Sequence, residues 1–324
     1  MIKGWSKLPL VVFLSTAGLL TLVQCMVKNP MLLAERFLKG AGWIEIAAIS
    51  IYGAFVANRM EDPSRARRWR VITWTTFSTV FFLQLLIGIS GHEKFLMTGK
   101  LHLPVPMMII GGPVFRGQIS FMTILFLSTI ILSGPAWCSQ LCYFGAFDNL
   151  ASIGRTTKKP LRNKAALKST FLILVITAAL ILRWLNVSIA ITTIIAASFG
   201  IAGLAVMVFF SRRRKKMVHC ILYCPAGLMV NLLRHINPFR MYIDQSCTHC
   251  MLCIKYCKYD ALNESDINNK RPGFTCTMCG DCLAGCRHNS IKYKFLSLKP
   301  ENARNLYIIV TITLHSVFLA LARI

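Results

Sequence analysis

Acidic residues are scarce in this chain. Only 12 of its 324 residues are Asp or Glu, against 37 Lys and Arg, and charged residues of both signs together make up 15%. A soluble domain carries about 25% charged residues, so this balance argues against an ordinary water-facing surface and points to a membrane protein. Nucleotide fingerprints are also missing. No G-x-G-x-x-G and no G-x4-G-K-[ST] occurs, which argues against bound NAD or ATP. The net charge of +25 does not signal nucleic acid, because the basic residues fall between apolar runs rather than along one stripe.

Apolar sequence is abundant, at 55% of the chain. A membrane helix needs roughly 20 apolar residues. Six runs before residue 212 approach that length, at 8–27, 41–58, 71–90, 115–133, 170–185 and 189–210, and a weaker seventh spans 306–322. The pattern predicts an all-α polytopic membrane bundle of six to seven transmembrane helices. Eighteen Lys and Arg lie in loops on the N-terminal side and seven opposite. By the positive-inside rule the N-terminus is cytoplasmic, as expected of a multi-pass protein of a bacterial or archaeal inner membrane. No small-residue cleavage site follows "LVQCMVKNP", so the first run reads as an uncleaved anchor.

Eight of the 13 cysteines lie in one segment. "CTHCMLCIKYC" supplies Cys247, Cys250, Cys253 and Cys257, and "CTMCGDCLAGC" supplies Cys276, Cys279, Cys282 and Cys286. Both runs read C-x2-C-x2-C-x3-C, the spacing with which two [4Fe–4S] clusters are held, each fourth cysteine crossing to the other cluster. The predicted ligand sets are Cys247, Cys250, Cys253 and Cys286, then Cys276, Cys279, Cys282 and Cys257. Zinc sites lack this doubled repeat, and a cytoplasmic setting disfavours disulfides. Gly280 and Gly285 are expected to let the second run curl, and Lys258 and Arg287 stand where proline is usual after each fourth cysteine. The blocks expected are a membrane bundle at 1–211, a basic linker at 212–242, a ferredoxin-like α+β domain at 243–297 and a final helix within 298–324.

A second cysteine pattern is repeated. "CSQLCYFGAFDNL" and "CILYCPAGLMVNL" align Cys138 with Cys220, Cys142 with Cys224, Gly145 with Gly227, Asn149 with Asn231 and Leu150 with Leu232, all at an offset of 82. Each copy follows an apolar run that returns to the basic side. Within one helical turn the paired Cβ atoms stand about 5–6 Å apart, too far for an undistorted disulfide. Packed side by side, the copies would gather four thiols, the count for a third centre, either iron–sulfur or a mononuclear metal.

The two C-x3-C pairs, Pro225 after the second and the two-cluster segment that follows resemble the membrane-bound polyferredoxins. These include the ferredoxin-type quinol dehydrogenase subunit of periplasmic nitrate reduction. The nitrous oxide reductase regulator and the ferredoxin-like accessory protein of cytochrome oxidase assembly are related. The resemblance covers about residues 115–293 and departs at Tyr143, where the first copy lacks the proline. It implies electron transfer between membrane quinone and iron–sulfur centres, with a further redox partner protein.

Quinone chemistry needs proton-accepting groups. Glu45, inside an apolar run, is one candidate. His92 and His102 are others, in the apolar loop Gly91–Gly117, whose prolines and glycines break helix and allow it to tuck against the bundle. His315 reads as an intramembrane hydrogen-bonding group and Cys25 as a small buried hydrophobe. The leading expectation is a quinol-linked oxidoreductase subunit. The alternative is a biogenesis or regulatory factor that uses its clusters to reduce a metal or sense redox state.

Overall fold

The computed structural model describes residues 7–95, 105–154, 156 and 159–321. In chain order the helices are α1 (Lys7–Met26), α2 (Leu33–Phe37), α3 (Gly42–Glu61), α4 (Pro63–Ile89), α5 (Met108–Arg116), α6 (Phe121–Ser133), α7 (Tyr143–Ala151), α8 (Lys164–Trp184), α9 (Ile189–Val206), α10 (Arg212–Arg214), α11 (Pro225–Leu233), α12 (Glu264–Asn268) and α13 (Pro300–Leu321). Strands β1 (Phe239–Ile243) and β2 (Ile291–Phe295) pair antiparallel. Among the described residues, six helical stretches are long and apolar enough to cross a membrane: Lys7–Met26, Pro63–Ile89, Met122–Leu141, Lys164–Trp184, Ile189–Arg214 and Pro300–Leu321. The run expected at 41–58 forms α3, which has the length of a span but carries Glu45, Arg59 and Glu61 and is not among the six.

The chain divides into two compact units, residues 1–102 with 301–324, and residues 103–300. This division cuts across the sequence blocks: the last helix groups with the first four, and the helices from α5 onward group with the cysteine-rich segment.

In the first unit, Leu8 and Val12 of α1 pack with Val56, Ala57 and Met60 of α3 and with Ile308 and Ile312 of α13. Asp62 starts α4 by accepting from the Ser64 amide, with Pro63 in the first turn, where its missing N–H costs nothing. Arg304 closes the far end of α3 by donating to the carbonyls of Met60 and Glu61, a cation at a helix C-terminus. Buried polar groups pair across helices. Ser15 and Thr313 share a hydrogen bond of 2.8 Å, and the Tyr52 hydroxyl lies 3.0 Å from His315 Nε2. His315 thus does what its sequence context suggests. Cys25 does not: it lies exposed on α1, in the last turn, beyond Leu20, the last buried residue of that helix.

In the second unit the expected tucked loop takes the form of α5, which packs against α8 and α6. Its backbone is tied down by side chains. Thr123 Oγ1 donates to the Ile109 carbonyl at 2.9 Å, and Arg183 donates to that of Val114 at 3.4 Å. Gly117 ends α5 in the left-handed region at φ +69, and a Cβ there would meet the Arg183 guanidinium. Helix α9 admits close neighbours through small residues: a Cβ on Gly200 would fall 2.7 Å from Val105, and one on Gly203 2.9 Å from His219.

The sheet carries the cysteine-rich segment. Its register pairs Phe239 with Phe295, Met241 with Tyr293 and Ile243 with Ile291, and Phe239, Met241, Ile243, Ile291 and Tyr293 are all buried. Asn237 fixes the sheet to α6: its side-chain amide donates to the Ile130 and Ile131 carbonyls while its oxygen accepts from the Phe239 amide.

Candidate metal centre

Each half of the eight-cysteine segment holds four of the thiols on tight backbone, and the two halves repeat at an offset of 29. Short 3-10 turns cover Leu252–Tyr256 and Asp281–Gly285. Left-handed residues recur at His249 and Met278, Met251 and Gly280, Asp260 and Asn289. These reversals curl the chain so that three closely spaced thiols face one point. Of the two glycines singled out, Gly280 supplies the curl, with φ +79, and Met251 takes the same role in the first half at φ 58. Gly285 supplies room instead, since a Cβ there would sit 2.3 Å from the Tyr256 ring.

The thiols of this segment lie in two groups. Cys253 lies within electrostatic reach of Cys286, Cys247 and Cys250. Cys257, Cys276, Cys279 and Cys282 line one small cavity with Met241, Tyr259 and Leu262. The Cys257 and Cys286 sulfurs each accept a backbone N–H, from Ala261 and Ser290, both at 3.2 Å. Burial pushes the Cys253 thiol up to about 11, with the neighbouring thiols adding to it. It also pushes up Cys257, Cys276 and Cys282. Thiols held together in such surroundings are stable as thiolates only with a metal to offset their charge. Two sets of four soft donors with N–H···S bonds therefore fit two [4Fe–4S] clusters. When bound, such clusters accept and donate single electrons.

Lys258, found where proline is usual, is buried, and its amine donates to the Asn149 carbonyl at 3.1 Å. A proline there would forfeit that tie to α7.

The C-x3-C pairs take one geometry twice. Each pair spans a π-helical turn, Trp137–Leu141 or His219–Tyr223. Each second cysteine then caps a nine-residue helix, Cys142 before α7 at φ −77, ψ 113 and Cys224 before α11 at φ −73, ψ 116. The Phe144 and Gly145 amides lie near the Cys142 sulfur, and those of Ala226 and Gly227 near the Cys224 sulfur. The packing brings the two turns together: Cys220 lies within electrostatic reach of Cys224, Cys142 and Cys138, and Cys138 of Cys142 and Cys224.

Three residues that the sequence reading passed over stand around this group. Lys168, counted there as a loop charge, belongs to α8 and is only 2% exposed. Its amine lies 3.0 Å from where a Cβ of Gly227 would be and faces Cys138 and Cys224. With its amide turned to match its neighbours, Asn231 accepts from Lys168 at 3.0 Å and donates to the Gly227 carbonyl at 3.2 Å. Asp148 and His219 are buried, and their ligand atoms lie with Cys220 Sγ within 4.8 Å of one another. Burial pushes the Asp148 carboxyl up to about 6, against bonds from Ser211 and Cys220. Burial, then Lys168, pushes His219 down to about 3. Periodicity could have flagged Lys168, the last charge of α8 before 14 uncharged residues; nothing local marks Asp148 or His219.

The quinone candidates stand elsewhere. The Glu45 carboxylate accepts from the Ala34 amide at 2.7 Å. His92 is exposed on the segment after α4, and His102 lies outside the described residues. Arg36, which faces Glu45, donates to the Lys94 carbonyl at 3.1 Å, so Glu45 and the His92 segment share one end of the first unit. A separate cavity of about 150 Å³ opens in the second unit, lined by Met107, Met108 and Phe115 near α5, by Val175 and Ala179 of α8, and by Ala196 of α9.

Residues 116–160 match the family model of a 4Fe-4S binding domain. No curated protein and no solved structure matches the chain. The match supports an iron–sulfur protein. Together with the six apolar helices, it indicates a membrane iron–sulfur electron-transfer protein. The matched stretch contains Cys138 and Cys142 and no other cysteine.

Proposed function

We propose that this protein links the membrane quinone pool to two [4Fe–4S] clusters held by Cys247, Cys250, Cys253 and Cys286 and by Cys276, Cys279, Cys282 and Cys257. The observation that carries this reading is the cavity between α5, α8 and α9 in the same compact unit as the clustered thiols. An apolar cavity of about 150 Å³ holds a ring the size of benzene, which suits a quinone headgroup whose tail remains in lipid. The exposed Arg116 at its rim offers a cation to a quinone oxygen.

Quinol oxidation releases two electrons and two protons. The electrons pass one at a time to the clusters and on to a redox partner protein on the cytoplasmic side; the protons leave at the cavity mouth, away from the clusters. The α5–α8–α9 cavity takes precedence over Glu45, His92 and His102 in this reading, because the Glu45 carboxylate is engaged by α2.

The test is anaerobic reduction of the detergent-solubilised protein by menaquinol, followed through the visible absorbance of the clusters. Ala196→Leu, which fills the cavity, is expected to slow reduction by quinol at least tenfold while leaving reduction by dithionite unchanged. The reading fails if quinol does not reduce the clusters and quinone does not reoxidise them.

A further inference from the structure

The family match poses a question of stoichiometry. A cubane takes four thiolates, yet the matched residues 116–160 supply two, Cys138 and Cys142. The structure supplies the other two from the repeated turn, where Cys220 and Cys224 face them. Both halves present sulfur in the same way: a first cysteine inside a π turn, and a second at the N-terminus of a nine-residue helix whose first amides lie near it. Amides and the positive end of a helix stabilise thiolate and cluster charge.

We infer that Cys138, Cys142, Cys220 and Cys224 hold a third iron–sulfur cluster, and that the buried Lys168 offsets its negative charge. The inference rests on the iron–sulfur reading and is independent of the quinone. Lys168 is the feature that bare packing leaves unexplained. Its amine is buried, and its neighbours, besides the Asn231 amide, are three of these thiols and His219. A cluster held by four thiolate ligands would give that amine a counter-charge.

The position of the four thiols also gives the centre a place in the electron path. Along α8, Lys168 lies seven residues from Val175 and fourteen from Leu182, both of which line the cavity. At 1.5 Å per residue that is about 10–20 Å. On the other side the group abuts the ferredoxin-like segment. The Tyr259 hydroxyl donates to the Cys138 carbonyl at 2.6 Å, and Ser139 donates to the carbonyl of Thr277, next to Cys276. Cys282 in turn lies within reach of Cys253. The third cluster thus stands between the cavity and the other two, as the first acceptor.

Iron, acid-labile sulfide and zinc are to be counted per chain in protein purified anaerobically, with the clusters resolved by electron paramagnetic resonance. Three cubanes give about twelve irons. Cys138→Ser and Cys224→Ser are each expected to remove about four irons and one resonance, whatever the starting total. About eight irons in the intact protein, unchanged in both variants, overturns the inference. So does about one zinc per chain that is lost with Cys220→Ser, which would assign a mononuclear site to Cys220, Asp148 and His219. Lys168→Met is expected to keep the iron and move one cluster potential to more negative values, since it removes a nearby positive charge. An unmoved potential removes Lys168 from the assignment. Should a variant fail to fold, the metal count of the intact protein decides alone. Failure of quinol to reduce any cluster leaves these counts untouched, so the two readings fail separately.

Discussion

Asp260 carries a prediction that tests how the cysteine-rich segment is held. Its carboxylate is 2% exposed and bridges two lysines, Lys216 at 2.5 Å and Lys164 at 3.0 Å. It also accepts from the Leu161 amide at 2.7 Å. Three chain segments therefore converge on one side chain: the connection into α8, the basic stretch after α10, and the turn three residues beyond Cys257. At an effective dielectric of about 20, each contact is worth on the order of 6 kcal/mol in Coulomb energy, and most of that is returned as desolvation. Removing one partner is a different matter, because it leaves Lys216, 1% exposed, charged and buried. Such a loss costs about 3–5 kcal/mol. Asp260→Asn is the clean perturbation, since asparagine tolerates the left-handed backbone, φ +52.

For a unit of this size the loss corresponds to a fall of roughly 10 °C in melting temperature. It is read as heat-induced bleaching of cluster absorbance together with loss of helical circular dichroism. The double variant Asp260→Asn with Lys216→Met removes both charges and is expected to recover at least half the loss. A single variant within about 0.5 kcal/mol of the parent would refute the reasoning. So would a double variant that is simply the sum of its parts, since the cost would then lie in packing and not in the orphaned charge.

Three other outcomes follow from particular contacts. Asn237→Ala removes two donated bonds and one accepted bond at a buried position and is expected to cost about 1–3 kcal/mol, measured by guanidinium unfolding in detergent. Gly285→Ala drives a methyl group into the Tyr256 ring and is expected to lower iron content at expression while Gly285→Ala with Tyr256→Ala restores it. Glu35 is held below the usual carboxylate range, first by the Gly40 amide and then by that of Gly42. Its contribution is therefore present above the unfolded pKa, about 4.3, and is lost as pH falls through the lower folded value. Glu35→Gln is expected to lower thermal stability at pH 7 and to converge with the parent at low pH.

Much of the architecture was legible because it rests on local signals. Apolar runs of membrane length became helices, and the repeat of C-x2-C-x2-C-x3-C reappears as two matched short turns because such spacing is a property of short loops. The prolines and glycines of Gly91–Gly117 foretold a segment that could not span, and α5 tucks against α8 accordingly. Long-range pairing was not legible in the same way. Nothing in the sequence of α13 says that it packs with α1 and α3. The burial of Lys168 depends on α11 arriving 60 residues later, and the Asp148–His219 contact depends on two turns of the repeat meeting. Cys25 was misjudged for a related reason: in a membrane helix an apolar residue is equally at home facing lipid or protein, so composition alone does not choose its side.

The chain repeats itself at two scales, and the repeats explain each other. At an offset of 29, left-handed residues and N–H···S bonds recur so closely that Ala261 and Ser290 make the same contact at the same 3.2 Å. At an offset of 82, a π turn and a helix cap recur around each C-x3-C pair. A π turn adds one residue to a helix and so misaligns it. It is retained twice, with a cysteine inside and another just after its end, and the sulfurs of the two copies lie near one another. In the smaller repeat Cys257 lies with Cys276, Cys279 and Cys282, and Cys286 near Cys253. The larger repeat is symmetric in the same sense, since neither C-x3-C pair can complete four ligands alone. A duplication whose halves are each incomplete, and whose sulfurs converge, is the arrangement expected of a shared centre and not of two independent packing motifs.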